Sequence, residues 1–208
     1  MNNNFTEIVF ILDRSGSMQG LEGDTIGGFN SLLEKQKAKE GDAVVTTVLF
    51  DDKYELLHDR INIKGISPIT TEDYYVRGCT ALLDAIGNTI SKIDNTQKHT
   101  LKEQRAENVM FVIVTDGLEN ASKEFTHKSI KEMVESKKKS GWEFIFLGAN
   151  IDAIAEGAKI GIEETRACLY HANSKGVRNC FASSNDAISM VRDKKVLDEN
   201  WKKENKEK

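Results

Sequence analysis

An uninterrupted apolar run, Ile8-Val9-Phe10-Ile11-Leu12, stops abruptly at Asp13-Arg14-Ser15-Gly16-Ser17-Met18. A run with no polar alternation suits a strand covered on both faces, and such strands belong to parallel sheets flanked by helices. Comparable runs recur over residues 43–50, 109–114 and 144–147, the first rich in β-branched side chains. Between them lie stripes at helical spacing: Leu21, Thr25, Phe29, Leu32 and Leu33; then Leu82, Leu83, Ile86, Ile90 and Ile93; then Ile130, Met133 and Val134. This alternation predicts an α/β fold, doubly wound, with a mostly parallel central sheet and helices on both faces.

The finer reading follows the punctuation. Asp51-Asp52 signals a tight turn, so residues 54–57 are expected to return as one antiparallel edge strand. Gly27-Gly28 weakens the first helix and is expected to allow close packing there or to delay its start. A polar connector is expected over 94–104, a helix over 151–160 ended by Gly161, a short strand over 167–171 and a last helix over 185–191. From Arg192 the chain turns polar and lysine-rich. The expected organisation is one domain over residues 1–192 and a frayed or disordered tail over 193–208.

Composition removes several classes of function. The 208 residues suit one hydrophobic core, and a net charge of −4 gives no surface for nucleic acid or an anionic membrane. Aromatic residues do not interleave with basic ones as a stacking platform needs. No apolar run approaches the ~20 residues that span a bilayer. Residues 1–4 lead almost at once into a strand, so no signal peptide is expected. Cys79, Cys168 and Cys180 read as reduced thiols, with a Cys168–Cys180 bridge as the alternative. The expected location is cytoplasmic. The four histidines are scattered, and no zinc-pair spacing or phosphate-binding glycine loop occurs.

The chemistry concentrates in three places. Asp13, Ser15 and Ser17 put a carboxylate and two hydroxyls at alternate positions after a buried strand. Thr80 precedes the helix that starts near Ala81, where it could both cap the helix and face a ligand. Asp116 ends another apolar run in Thr115-Asp116-Gly117. In a doubly wound sheet such loops gather at the carboxyl ends of the strands, and hard oxygen donors suit a small, hard cation.

The set Asp13-x-Ser15-x-Ser17, Thr80 and Asp116 resembles the metal-ion-dependent adhesion site of the von Willebrand factor A family, over roughly residues 5–190. The resemblance, to the bacterial and phage intracellular type, implies a Rossmann-like fold with Mg²⁺ or Mn²⁺ above the sheet. It implies Ser15 and Ser17 as direct ligands, Asp13 and Asp116 as direct or water-mediated ones, and Thr80 as changing between those modes. An open coordination position would take a Glu or Asp side chain of a partner protein, such as an ATPase, kinase or stress-resistance component. The expectation is therefore a metal-dependent protein-interaction module and no enzyme.

Other readings stand beside it. A Mg²⁺-dependent hydrolase or phosphatase would use Asp13 as nucleophile, but serine at position 15 leaves it without a general acid. A structural subunit with a vestigial site is the third. Arg14 reads as solvent-facing or as meeting the acidic partner, Asp51 and Asp52 as a solvated turn, and Cys79 as a buried or inert thiol. Asp84 reads as a cap, a solvent-facing residue or a support for the site, and Glu119 and Asn120 as rim residues. Lys137-Lys138-Lys139 reads as a solvated face.

Overall fold

The computed structural model describes residues 5–206. Residues 1–4, where the absence of a leader was expected, and the last two of the chain lie outside them. Strand β1, Phe5–Asp13, is buried along nearly its whole length. Its alternate residues face two separate cores: Ile8, Phe10 and Leu12 point to one and Val9 and Ile11 to the other. Both faces of the strand are apolar because both are covered.

Five more strands complete the sheet: β2 Asp42–Phe50, β3 Tyr54–Asn62, β4 Asn108–Thr115, β5 Glu143–Ala149 and β6 Ala167–Tyr170. Their order is β3-β2-β1-β4-β5-β6. Only β3 runs antiparallel, as the expected edge strand, and it extends to Asn62 rather than ending at 57. The chain leaves β1 toward β2 on one side and later reaches β4 on the other. The strand order therefore reverses beside β1, which opens a crevice at its carboxyl end.

Helices α1 (Glu22–Lys37) and α5 (Ser174–Arg192) cover the first face. Helices α2 (Leu82–His99), α3 (His127–Lys139) and α4 (Ala153–Lys159) cover the second. Gly28 is where α1 and α5 meet: a Cβ there would overlap the Phe181 ring. Phe29 then stands edge-on to Phe10 at 5.0 Å and to Phe181 at 6.3 Å.

Several sequence expectations are revised. Helix α2 continues through Asp94 to His99, so part of the expected connector is helical; Asp94 bridges Lys98 and Lys137 on its solvent side. Lysines 137 and 138 are likewise paired rather than merely solvated, with Asp94 at 2.6 Å and Glu163 at 2.6 Å. Helix α5 begins at Ser174, far ahead of residue 185. Asn173 caps it by accepting the Gly176 N–H at 2.8 Å, and the small residues of its early stripe hide the periodicity. Beyond α5 the chain does not fray. Leu197 and Trp201 are buried in the first core, and the Trp201 indole donates to the Thr165 carbonyl at 3.2 Å. A 3₁₀ turn over Glu199–Lys202 and the short helix α6, Lys203–Lys206, follow. Among the described residues no helix is long and apolar enough to cross a membrane.

Candidate metal centre

Strands β2, β1 and β4 lie side by side and parallel, so their carboxyl ends deliver Asp51, Asp13 and Asp116 to one edge of the sheet. Asp13 is 1 % exposed and Asp116 2 % exposed. After β1 the chain turns tightly, the Ser15 N–H donating to Asp13 Oδ1 at 2.7 Å. A 3₁₀ turn over Gly16–Met18 then brings the Ser17 hydroxyl to 3.0 Å from that of Ser15.

The second loop arrives from before α2. Thr80 Oγ1 donates to Ser15 Oγ at 3.0 Å. Ser17 Oγ donates to Asp116 Oδ1 at 2.5 Å, which brings in the third loop. The five residues singled out in the sequence, Asp13, Ser15, Ser17, Thr80 and Asp116, are thus joined in one cluster. Gly117 is required by the crowding: a Cβ there would stand 2.9 Å from Thr80 Oγ1 and 3.0 Å from Ser17 Oγ.

Residues outside that set complete the shell. Thr115 Oγ1 donates to Asp13 Oδ2 at 2.5 Å, and the buried Tyr74 hydroxyl donates to the Asp13 carbonyl at 2.5 Å. Tyr74 lies between the expected edge strand over 54–57 and the helix near Ala81, where the sequence predicts no element and its spacing carries no signal. Asn120 clasps the Thr80 backbone, accepting the Thr80 N–H at 2.9 Å through its side chain and donating its own N–H to the Thr80 carbonyl at 3.0 Å.

The cap of α2 differs from expectation. Thr80 does not cap it; Glu119 reaches over from the third loop and accepts the Leu83 N–H at 2.9 Å. Asp84 is neither a simple cap nor free in solvent. It accepts the N–H groups of Lys123, Glu124 and Phe125, holding the loop after Asp116 onto α2. Cys79, next to Thr80, is exposed rather than buried, and among the described residues no disulfide joins the three cysteines.

Two further expectations are overturned. Arg14 is fully buried, its guanidinium donating to Asp51 at 2.9 Å and Glu55 at 2.6 Å. Asp51 is fully buried too, because it accepts from Arg14 and Arg77 instead of facing solvent. A local reading could not see these pairs, since the partners lie 37 and 26 positions apart. One signal was present: three neighbouring strands each end at an aspartate.

The electrostatics test whether a cation fits. Burial pushes the Asp13 carboxyl up to about 6 despite hydrogen bonds from Thr115 and Ser15. Burial also raises Asp116, against the Ser17 hydroxyl. The Arg14 guanidinium, next to Asp13 in the motif, is committed to Asp51 and Glu55. Among the described residues Asp116 Oδ2 is buried without a hydrogen-bond partner. Leaving such an oxygen unsatisfied costs about 1–3 kcal/mol, more when it is charged. Among the described residues no three carboxylate, imidazole or thiol groups converge. The donor set is two carboxylates and three hydroxyls, all hard oxygens, and it fits a small divalent cation.

Solved structures share this architecture. Proximal thread matrix protein 1 from the mussel byssus matches with a TM-score of 0.59 and 14% identity, over 90% of this chain and 46% of that one. A second structure of that protein, with a zinc-occupied MIDAS motif, has a TM-score of 0.53 and 15% identity, over 92% and 45%. Manganese-loaded TRAP protein from Plasmodium vivax has a TM-score of 0.58 and 16% identity, over 86% and 72%. The SpRpn10 VWA domain has a TM-score of 0.51 and 11% identity, over 84% and 92%. The chain spans about half the length of the mussel protein. No protein-family model and no curated protein matches it. At these identities the likeness establishes the fold: the chain has the Rossmann-like fold of von Willebrand factor A domains.

Proposed function

We propose that the chain is a metal-dependent protein-interaction module and not an enzyme. Asp13, Ser15, Ser17, Thr80 and Asp116 would hold a Mg²⁺ or Mn²⁺ ion between three loops. A cation held there with one position open supplies a directional docking point for a Glu or Asp side chain of a partner protein. The observation that carries the reading is Asp116 Oδ2, a buried carboxylate oxygen with no hydrogen-bond partner beside three hydroxyls. Those hydroxyls now donate to one another and to Asp116; rotation of their hydrogens frees lone pairs for a cation without moving the backbone.

Catalysis by Asp13 finds less support. Its carboxylate oxygens accept from the Ser15 N–H and the Thr115 hydroxyl, and its neighbour in the motif is serine, not a second acid. The unit is taken as one domain that continues past residue 192, since Leu197 and Trp201 belong to its first hydrophobic core. The cytoplasm is the proposed compartment, supported by the lack of any disulfide among the described residues. An ATPase, a kinase or a stress-resistance component is the partner class that the resemblance suggests, and the charge of −4 favours neither nucleic acid nor membrane.

Calorimetric titration with Mg²⁺ and Mn²⁺ tests this, using wild type, Asp13→Ala and Asp116→Ala, with and without a short glutamate-containing peptide. Wild type should bind one ion per chain, more tightly with the peptide present, and both substitutions should abolish binding. Binding that survives in both variants, or none in wild type under either condition, would sink the reading.

A further inference from the structure

Arg14 stands between two of the proposed ligands, yet its guanidinium is committed elsewhere. Nε donates to Asp51 Oδ2 at 2.9 Å and Nη2 to Glu55 Oε2 at 2.6 Å. Nη1 has no acceptor among the described residues; the guanidinium lies over the Tyr75 ring at 5.3 Å instead. Asp51 takes a second guanidinium on the same oxygen, from Arg77 Nε at 2.6 Å, and Arg77 packs on Tyr75 at 5.2 Å.

The backbones are laced together at the same place. The Arg77 N–H donates to the Arg14 carbonyl at 2.9 Å, the Ala81 N–H to the Asp51 carbonyl at 2.8 Å, and the Gly16 N–H to the Gly78 carbonyl at 3.1 Å. Asp51 thus joins the loop that carries Ser15 and Ser17 to the segment that carries Thr80. Among the described residues, none of the side-chain hydrogen bonds of Asp51, Arg14 or Arg77 reaches the five proposed ligands.

We infer that Asp51, through Arg14 and Arg77, is a positioning residue of the metal site, which sets the spacing of the Ser15, Ser17 and Thr80 hydroxyls in advance of metal binding. The inference rests on the function proposed above and deepens it. Neutral hydroxyls are weak ligands, so affinity depends on having them already placed. Two loops that had to be ordered by the ion would subtract that ordering from the binding free energy. An apolar filler would supply volume at this spot but no direction. The forked guanidinium of Arg14 fixes both the loop's register and its turn.

A second arginine–carboxylate pair, between β1 and β3, provides the control. Glu7, near the opposite end of β1, accepts from Arg60 Nε at 2.9 Å and lies far from the proposed ligands along the strand. Mg²⁺ titration calorimetry and urea unfolding would be run on wild type, Asp51→Asn, Arg77→Gln and Arg60→Gln, at a temperature where all are folded. Asp51→Asn and Arg77→Gln should weaken Mg²⁺ binding by about 10–100-fold, as loss of a supporting partner does at other metal sites. Arg60→Gln should unfold at lower urea with unchanged Mg²⁺ affinity.

Unchanged affinity in Arg77→Gln, whose side chain is 35 % exposed and whose loss leaves the core intact, overturns the inference. An equal loss in Arg60→Gln also overturns it, since the effect would then be general stability. A wild type that binds neither Mg²⁺ nor Mn²⁺ overturns the metal site and this inference together. Wild-type binding with unaffected variants overturns this inference alone.

Discussion

Asp13 and Asp51 end neighbouring strands, yet their surroundings drive them in opposite directions. Burial lifts Asp13 to about 6. Burial lifts Asp51 too, but hydrogen bonds from Arg77, the Lys53 N–H and Arg14 outweigh it and hold the carboxyl below its usual 3.8. The difference is whether a cation is already present in the protein. The sign of the pH dependence follows. Between 3.8 and about 6 the folded chain keeps a proton on Asp13 that the unfolded chain releases, so metal-free stability falls as pH rises through that window. Melting temperatures taken in chelator from pH 4 to 6 should therefore drop more steeply in wild type than in Asp13→Asn. Parallel profiles would show that Asp13 is not the source. For Asp51 the sign is reversed: its contribution is present above 3.8 and is lost as the pH falls through its lower folded value.

At the scale of an element, two adjacent glycines in α1 separate local propensity from packing. A Cβ on Gly27 would meet nothing within 4 Å, so Gly27→Ala should gain about 0.5–1 kcal/mol from helix propensity alone. A Cβ on Gly28 would enter the Phe181 ring of α5, so Gly28→Ala should lose about 1–3 kcal/mol through forced repacking. Urea titrations of both variants decide the matter, and equal shifts of the same sign would mean that the α1–α5 contact is looser than described. The sequence marked this pair as a place for close packing but not which of the two glycines bore it. Helix α5 shows the reverse limit. Val177, Cys180, Phe181, Ser184, Ala187, Ile188 and Val191 are all buried at helical spacing, but cysteine, serine and alanine among them flatten the apolar signal. Its start was therefore placed too late.

For the whole molecule, the segment beyond α5 changes the extent of the core. Composition alone marks residues 193–208 as polar and lysine-rich, yet Leu197 and Trp201 close the first hydrophobic core from below α5. Trp201 is fully buried with its indole hydrogen-bonded, and Trp201→Ala should cost about 3–5 kcal/mol in urea unfolding. A change within about 0.5 kcal/mol, as for a surface position, would show that this segment adds nothing to the fold. Three apolar residues among charges, Val196, Leu197 and Trp201, are too few to establish a periodicity; only packing into the core gives Leu197 and Trp201 meaning.

The sequence by itself determined the layers, the strands and the chemistry of the three loops. Burial on both faces writes itself into residue type over short windows, and every loop that follows a parallel strand must emerge at the same edge. The meeting of Asp13, Ser15, Ser17, Thr80 and Asp116 at one sheet edge was legible for that reason. Tertiary structure alone decided how the remaining polar groups were paired. Arg14 turned inward because Asp51 stood at the end of the next strand, Glu119 took the cap expected of Thr80, and Asp84 secured the loop after Asp116. Charges and hydrogen-bond donors choose partners by distance in space, and that distance is set by strand order, which no local pattern contains.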